Sequence, residues 1–412
     1  MKKLQLILVI LCLISISYAQ TSQTIAQWRG VNRDGIYQEK DLLKVWPENG
    51  PELLWLSEQI GAGYSSPVVT ADRLFINGEI DSISYIFCFD LKGKLIWKTP
   101  NSREFFGNGY SANFPGARSA PTVYNGLIYL TSGLGRIACI DATSGKVKWT
   151  VDMIADLGGK LNMFGNSESL YVDDKNVYCM PGGTETNLAA LDRFTGKVVW
   201  TSKALGDPVS FCSPMVVRLP HKNILVTLSR EYLLGLDTQT GELLWSHKED
   251  SVKLEGEHCN TPIYSDGFIY SISGDENGNG AYQLLLSPDG KSIKEVWRNG
   301  KIKNSMGGFV KISDRIYTTS DDKKLYVLDA QTGQITEVLS GMKGSLIAAD
   351  NLLFCYTDNG YVNLINGIGT KLEVVSKFKI TKGEKEHFAH PVIADGALYV
   401  RHGNALMAYK IK

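Results

Sequence analysis

One phrase recurs along the chain, and its spacing restricts the possible fold more than any other feature of the sequence. The chain contains four related strings: CFDLKGKLIWKT, CIDATSGKVKWT, ALDRFTGKVVWT and GLDTQTGELLWS. In each string alternating apolar residues precede an Asp, a Gly follows, and a Trp comes after a short strand-forming run. The alternation indicates half-buried strands, and the Asp-to-Gly segment is typical of a turn. Each string therefore predicts a β-hairpin.

The Trp of this phrase repeats with a period of about 50 residues. It occurs at Trp97, Trp149, Trp200, Trp245 and Trp297, with separations of 52, 51, 45 and 52 residues. A period of this length built from strands and turns is typical of a β-propeller, whose blades are four-stranded sheets. We expect these rings and Trp55 to pack between neighbouring blades and to donate their N–H groups to backbone carbonyls.

A second recurring string gives an independent count of the blades, because each blade should begin with a strand that follows a small, polar segment. Eight such segments occur: GYSSPVV (63–69), GARSAPTV (116–123), GNSESLYV (165–172), SFCSPMVV (210–217), EHCNTPIY (257–264), KNSMGGFV (303–310), MKGSLIAAD (342–350) and HFAHPVIADG (387–396). Trp55 has no hairpin before it, and the C-terminal segment lacks a last strand. The sequence therefore predicts an all-β, eight-bladed propeller over residues 51–412, closed by strands from both termini. Residues 20–50 would form a strap on one face.

The N-terminus is typical of a cleaved secretory signal peptide over residues 1–19. Lys2 and Lys3 precede an apolar run, and small residues end at Ala19, after which we expect cleavage. The run is too short to span a bilayer comfortably, and we expect no transmembrane segment elsewhere. The sequence thus predicts export to the periplasm or to the extracellular medium.

The charge balance of the chain limits the classes of partner that it is expected to bind. The chain has 43 basic and 43 acidic residues without a long run of either sign, a pattern that does not favour nucleic acid. We expect a monomer that binds a protein partner or a small polar or carbohydrate ligand.

Most cysteines beyond the signal lie in apolar strand-like strings, where Cys acts as a small buried hydrophobe. Cys212 and Cys259 stand in equivalent, more polar positions and are the pair to test for a disulfide.

The phrase Asp-x-x-Thr-Gly-Lys-x-x-x-Trp resembles the repeats of the pyrroloquinoline quinone (PQQ) dehydrogenase-like propellers. That superfamily contains the quinoprotein alcohol dehydrogenases and the outer-membrane assembly lipoproteins of the BamB type. The strings QWRGVNRDG (27–35), GPELLW (50–55) and KNSMGG (303–308) are similar to an exported branch of these propellers. A His pair often stands in that branch where this chain has Ser305 and Met306, which weighs against a ligand role there. The repeat is specific for the fold and says little about function.

The segments that precede each blade converge on the central channel, where loops on a rigid frame carry function. They supply an unusual concentration of polar residues: Arg118, Asn166, Glu168, His258, Asn260, Lys303, Asn304, Lys343, His387 and His390. One hypothesis is a polar pocket in which Arg118 and Lys343 bind an anion or a sugar acid and Glu168 acts as a base or a metal ligand. The alternative is that these side chains bond one another and channel water.

Metal binding is not expected from the histidines or from an EF-hand-like string. His387 and His390 are three positions apart, so in a strand they point to opposite faces. The string GDENGNGAY (274–282) opens like an EF-hand loop, but Leu286 stands where the closing acidic ligand should be. A hairpin connection rich in Gly and Asn is the simpler interpretation.

Two functions stay open from the sequence. Resemblance to the quinoprotein enzymes implies PQQ and Ca2+ in the channel, with an Asp base, a Trp beneath the ring and vicinal cysteines above it. The chain has no Cys-Cys dipeptide. We predict a binding or assembly scaffold without a cofactor. The alternative is an enzyme with its site in the channel, either a PQQ-dependent alcohol or sugar dehydrogenase or a carbohydrate-active enzyme.

Overall fold

The computed structural model describes residues 25–249, 258–274 and 280–412. Their secondary structure is β-strand apart from one short 3-10 helix, Gly109–Asn113. The predicted signal peptide lies outside the described residues. None of the helical structure in the described chain has the length and hydropathy that a membrane span needs.

Three short strands come before the repeats and are followed by the first four blades. The N-terminal strands are β1 (Ile25–Ala26), β2 (Ile36–Tyr37) and β3 (Leu53–Ser57). Blade 1 contains β4 (Val68–Val69), β5 (Leu74–Ile80), β6 (Ile83–Phe89) and β7 (Leu95–Arg103). Blade 2 contains β8 (Thr122–Tyr124), β9 (Leu127–Thr131), β10 (Arg136–Asp141) and β11 (Val147–Asp152). Blade 3 contains β12 (Tyr171–Val172), β13 (Asn176–Cys179), β14 (Leu188–Asp192) and β15 (Val198–Ser202). Blade 4 contains β16 (Met215–Leu219), β17 (Lys222–Leu228), β18 (Tyr232–Asp237) and β19 (Leu243–Lys248).

The remaining strands form four more blades. Blade 5 contains β20 (Ile263–Ser265), β21 (Phe268–Ser273), β22 (Gly280–Leu286) and β23 (Ile293–Asn299). Blade 6 contains β24 (Phe309–Ile312), β25 (Arg315–Ser320), β26 (Lys324–Asp329) and β27 (Ile335–Ser340). Blade 7 contains β28 (Gly344–Ala349), β29 (Leu352–Thr357), β30 (Tyr361–Asn366) and β31 (Glu373–Lys379). Blade 8 contains β32 (Val392–Ala394), β33 (Ala397–His402) and β34 (Ala405–Lys410).

The ring closes with strands from both ends of the chain, as the sequence predicts. Strand β3 pairs antiparallel with β34 and supplies the outer strand of blade 8, with Trp55 opposite Ala408. The described residues thus form eight sheets, each with four antiparallel blade strands, and the predicted eight-bladed propeller is confirmed. Closure removes the free edges that an open sheet would present.

The recurring Gly and Trp form a contact between successive blades. The Gly of one hairpin turn lies against the indole of the preceding blade, in the pairs Gly93–Trp55, Gly145–Trp97, Gly196–Trp149, Gly241–Trp200 and Gly333–Trp297. A Cβ at Gly196 would approach the Trp149 ring to 2.7 Å, and its φ of 71° also disfavours other residues. Trp245 is different, since its ring packs over Gly235 in its own blade.

Most of the indole N–H groups reach a carbonyl of the next blade. Trp55, Trp149, Trp200 and Trp297 donate to Leu91, Arg193, Thr238 and Ala330, at 2.9, 3.0, 2.9 and 3.1 Å. Within the described chain the Nε1 atoms of Trp97 and Trp245 have no acceptor. The phrase therefore repeats because each blade carries both halves of a contact, a ring for one neighbour and a glycine for the other.

Part of the N-terminal segment, which the sequence predicts as a strap on one face, enters the channel. Residues 25–37, which we call the plug, run across the channel: β1 pairs antiparallel with β8, the inner strand of blade 2, and β2 pairs parallel with β28 of blade 7. Beyond the plug, Leu42 and Trp46 pack in the core between blades 7 and 8. The plug enters the ring because Arg29 and Arg33 find buried hydrogen-bond partners there.

Candidate functional site

One cavity on the side of the preceding segments, here called the funnel, opens where the inner strands begin. Its volume is about 220 Å³. Its lining combines side chains from seven blades and the plug: Trp28, Tyr64, Ser66, Tyr110, Phe114, Arg118, Phe164, Ser167, Ser169, Phe211, Ser213, Cys259, Met306, Phe388 and His390. The walls are thus mainly aromatic, whereas the sequence predicts a polar pocket.

An alternation of period two decides which residues reach the funnel. Counting back from the residue just before the first strand of each blade, the third residue lines the cavity in six blades: Tyr64, Arg118, Ser167, Phe211, Cys259 and Phe388. The first residue counted back in the same way lines the cavity in four blades: Ser66, Ser169, Ser213 and His390. Extended chain points successive side chains to opposite sides, so the second and fourth residues turn away. These segments therefore behave as strand extensions.

Five of the predicted site residues fall on this alternation with a clear result. Arg118 and His390 occupy odd positions and line the funnel. Asn166, Glu168 and Asn260 occupy even positions, are buried, and do not line it. The segments converge as predicted, and these residues therefore lie near one another. Every second side chain of an extended segment, however, points into the packing between blades.

The buried residues of this set bond mainly to protein groups. Asn166 accepts the Thr131 hydroxyl at 2.8 Å, and Glu168 accepts the backbone N–H of Met180 at 3.0 Å. Asn260 donates to the carbonyl of Asn304 at 2.6 Å. Burial raises the pKa of Glu168 to about 7. These contacts match the alternative in which polar side chains stabilise the ends of the inner strands.

His258 also lies outside the funnel, at the fourth position. Its side chain is buried, and Nε2 lies 3.1 Å from the carbonyl oxygen of Arg230 in the neighbouring blade. Cys259, the next residue, lines the funnel. No disulfide joins Cys259 and Cys212, the pair that the sequence marks for testing.

Four further candidates lie at the side of blades 6 to 8. Asn304, Lys343 and His387 line a small neighbouring cavity of about 30 Å³. Lys343 lies 3.8 Å from the Asp321 carboxylate. Lys303 lines neither this cavity nor the funnel, and its carbonyl accepts the backbone N–H of Asp321 at 2.7 Å. Arg118 and Lys343 thus belong to different cavities and do not form one anion site.

His387 and His390 face different surroundings, as expected for their spacing. The His387 ring stacks on His402 at 3.8 Å, and burial together with His402 lowers the pKa of His387 to about 4. His390 accepts a hydrogen bond from Arg29 at 2.9 Å through Nδ1 and donates to the Met306 carbonyl at 2.9 Å through Nε2. Burial lowers the pKa of His390 to about 3, so the ring is neutral at pH 7. Both nitrogens are engaged, which leaves His390 unsuited to act as a base.

Arg118 is the one charged side chain among the described residues that line the funnel. Its guanidinium donates to the carbonyls of Gly116, at 3.0 Å, and Phe114. It lies over the rings of Tyr64 and Phe164, at 5.7 and 5.9 Å. No carboxylate of the described chain comes within ion-pair distance of it, and burial lowers its pKa. A desolvated cation between aromatic faces favours an anionic ligand with apolar neighbours.

The floor of the funnel is the plug, which two buried arginines hold in place. Arg33 donates to Gln27 Oε1 at 2.8 Å and to the carbonyls of Ser169 and Pro214 at 2.7 and 3.1 Å. It also bonds Thr122 Oγ1 at 3.2 Å. On the opposite side Arg29 donates to the carbonyls of Phe309 and Leu346, at 2.6 and 3.1 Å. The arginines of QWRGVNRDG therefore bind inner-strand backbone around the ring and close the channel.

Sequence reasoning missed both the plug and the aromatic walls. A signal for the walls exists: three segments share an aromatic residue three positions before a proline, namely Tyr64, Phe211 and Phe388. In the equivalent position blade 2 has Arg118 and blade 5 has Cys259. Aligning the segments on their prolines and selecting every second residue would have identified most of the lining.

The residues present do not fit PQQ with Ca2+. Calcium needs six to eight oxygen ligands, several of them carboxylates, and the funnel lining contains no Asp or Glu. No cluster of three metal-ligating side chains is found in the described part of the chain. The plug, moreover, fills the channel, and its residue Trp28 forms part of the floor of the funnel. The EF-hand-like string falls largely on residues 275–279, outside the described residues.

Comparisons with known proteins agree with this architecture. A family profile described as outer membrane protein assembly factor BamB matches residues 82–337. The chain is 26% identical over 224 residues to a protein of that name from Kangiella koreensis, covering 54% of this chain and 50% of that protein. It is 28% identical over 204 residues to the quinoprotein alcohol dehydrogenase PedH of Pseudomonas putida, covering 47% and 31%. The chain thus spans about half, or less, of the length of these curated relatives.

Solved structures show the same fold. BamB from Moraxella catarrhalis superposes with a TM-score of 0.60 at 13% identity, covering 88% of this chain and 100% of that one. A europium-containing methanol dehydrogenase gives a TM-score of 0.68 at 13% identity, covering 92% and 90%. At such low identity the likeness concerns the fold alone. Because the profile match covers more than half of the residues, the chain belongs to the PQQ-like β-propeller family described as outer membrane protein assembly factor BamB.

Proposed function

We propose that the protein is a binding scaffold of the cell envelope, in which the rigid propeller presents the funnel to a protein partner. The observation that carries this proposal is the lining of the funnel, which is aromatic around a single guanidinium. Apolar surface that converges in a pocket is what an inserted side chain needs. Two aromatic residues, Phe106 and Tyr110, are 50% and 66% exposed on the segment that leads into blade 2. They extend the apolar surface from the funnel towards a partner.

The partner we infer places an apolar side chain beside a carboxylate. The side chain would enter between Phe164, Phe211 and Phe388, and the carboxylate would meet Arg118. A guanidinium in a partly desolvated position forms stronger, charge-assisted hydrogen bonds than one in water. Export by the predicted signal peptide would place this interaction in the periplasm or outside the cell. The names of the relatives, assembly factors among them, support a scaffold role.

The competing hypothesis, an enzyme acting in the channel, has less support in the site. Of the basic side chains in the funnel lining, His390 is engaged at both nitrogens and Arg118 is a cation. A carbohydrate-active enzyme of the common kind needs two carboxylic acids facing each other across the substrate. The lining supplies neither.

Cys259 allows a direct test of the funnel chemistry. It is half-buried and lines the funnel, whereas Cys88, Cys139, Cys179, Cys212 and Cys355 are buried. We expect a maleimide to label Cys259 in the folded mature protein. N-acetyl-phenylalanine should slow this labelling, and N-acetyl-phenylalanine amide, which lacks the carboxylate, should slow it much less. In Arg118→Gln the two compounds should become equivalent. Equal protection by both compounds in the unmodified protein would refute the inferred chemistry.

A crosslinking experiment tests the scaffold itself. A photoreactive maleimide attached to Cys259 should capture a discrete partner in an envelope extract. The matched control is Cys259→Ser combined with Val199→Cys, which moves the same probe to an exposed outer strand. The captured species should be absent from the control and should weaken when Phe164 is changed to Ala. Identical products from both probe positions, or none from Cys259, would contradict a partner in the funnel.

A further inference from the structure

A second cavity lies on the opposite side of the plug, and its composition differs from that of the funnel. Its volume is about 240 Å³. Blade 3 places Ser169 in the funnel and Tyr171 in this cavity, and blade 5 places Cys259 in the funnel and Tyr264 here. Because these pairs follow one another along the same inner strands, the second cavity lies at the far mouth of the channel. The plug separates the two, with Trp28 on one side and Asn32 and Asp34 on the other.

The polar groups of the far cavity include both charges. Asp34 is half-buried, and one of its carboxylate oxygens accepts the backbone N–H of Ile36 at 3.0 Å. Arg218 is exposed and donates to the Tyr171 hydroxyl at 2.9 Å. No ion pair joins Asp34 and Arg218 in the described chain. Asn32 adds an exposed amide. An anion would meet Asp34 and a cation would meet Arg218, so neither charge is favoured.

We propose that this far cavity binds a neutral, polyhydroxylated ligand, namely a sugar ring of a glycan. A hydroxyl both donates and accepts, so it can bond a carboxylate, an amide and a guanidinium in the same site. The half-buried ring of Tyr264 supplies apolar surface for the C–H face of a sugar. Pockets for drug-sized ligands have volumes of about 300–1,000 Å³, so this smaller cavity suits a single ring.

The structure keeps this proposal independent of the funnel. The plug fills the channel between the cavities, and Arg33 in its centre is 1% exposed. A sugar in the far cavity therefore does not contact Arg118 or Phe164. Each site can fail its test while the other succeeds.

The test is thermal unfolding of the mature chain with maltose, cellobiose or N,N′-diacetylchitobiose at millimolar concentration. A ligand that binds only the folded state raises the melting temperature. We expect at least one of the three sugars to do so. Phenylacetate, which has the apolar ring and carboxylate proposed for the funnel, should shift the melting temperature equally in the unmodified protein and in variants of the far cavity. If none of the three raises the melting temperature, the proposal is overturned.

Variants locate the response. Asp34→Asn should weaken sugar binding roughly tenfold, because a charge-assisted hydrogen bond becomes a neutral one. Tyr264→Ala should weaken it as well. Asp266→Asn, a change at an exposed turn beside blade 5, should leave it intact. A sugar response that persists in both Asp34→Asn and Tyr264→Ala refutes the site. If Tyr264→Ala fails to fold, Asp34→Asn decides, since its amide oxygen can still accept from Ile36.

Discussion

Replacing Arg33 by Ala should destabilise the whole propeller, although Arg33 belongs to no blade. The side chain is 1% exposed and donates to Ser169, Leu170 and Pro214 on the inner strands of blades 3 and 4. It also bonds Thr122 of blade 2. One guanidinium thus ties three successive inner strands to the plug, and its removal acts on all of them.

The size of the effect can be estimated from these contacts. After the change the carbonyls of Ser169 and Pro214 lose the donor that Arg33 gives them. Leu170 keeps a bond from Thr122 Oγ1 at 2.7 Å. A buried acceptor left without a partner costs about 1–3 kcal/mol. The truncated side chain also leaves a cavity beside the Tyr171 ring, which lies 5.3 Å from the guanidinium carbon. We therefore expect the free energy of unfolding to fall by about 3–5 kcal/mol.

Urea unfolding followed by tryptophan fluorescence measures this loss. Arg33→Lys should recover only part of it, because an ammonium group cannot span the separated carbonyls as a planar guanidinium does. The control is Arg103→Ala, at an exposed position of β7, which should change stability by less than about 0.5 kcal/mol. A loss below about 1 kcal/mol for Arg33→Ala would show that the plug is not held through this side chain.

Three further predictions follow from the contacts between blades and from the buried acid. Gly196→Ala should cost about 1–3 kcal/mol more than Gly126→Ala, because both have positive φ but only Gly196 would press a Cβ against Trp149; equal melting temperatures would contradict this. Trp149→Phe should cost about 1 kcal/mol more than Trp97→Phe in urea titrations, because only Trp149 donates its N–H to a carbonyl; the reverse order would refute the reasoning. Burial raises the pKa of Glu168 from 4.5 to about 7, so the folded protein keeps a proton that the unfolded chain releases, and stability falls as the pH rises through that window by up to about 3 kcal/mol. Glu168→Gln should remove this part of the pH dependence, and an unchanged slope between pH 4.5 and 7 would rule it out.

The blades could be predicted from the sequence because their information is local and repeated. A hairpin phrase with its Asp, Gly and Trp lies within a dozen residues, and each copy checks the others. Trp55 even allowed the closing strand to be assigned, since a Trp without its hairpin needs a partner elsewhere. The plug offered no such check. Arg29 bonds Leu346 across 317 residues and Arg33 bonds Ser169 across 136, and the segment occurs once.

The sequence predicts where the candidate site lies but not which kinds of side chain line it. The segments before the blades do converge, and Arg118 and His390 do line the funnel. The other residues were chosen for their chemical type, whereas the direction of each side chain is set by its position in an extended segment. Glu168 and Asn260 lie one residue away from funnel-lining positions, and that single step turns them into the packing between strands. The position of a residue, counted back from the start of the strand, therefore predicts whether its side chain lines the funnel better than its chemical type does.

The buried charges at the centre of the ring indicate why the two mouths of the channel should bind different ligands. Burial lowers the pKa of both Arg29 and Arg33 to about 10, which still leaves them charged at neutral pH. Burial also raises the pKa of Glu168, the acid beside Arg33, to about 7, which reduces the negative charge available to balance the two arginines. The funnel adds Arg118 to this excess and has no carboxylate of its own, so a ligand that brings a negative charge is favoured there. At the far mouth the carboxylate of Asp34 and the guanidinium of Arg218 line the same cavity, so both signs of charge are present and a neutral ligand that can donate and accept hydrogen bonds is favoured.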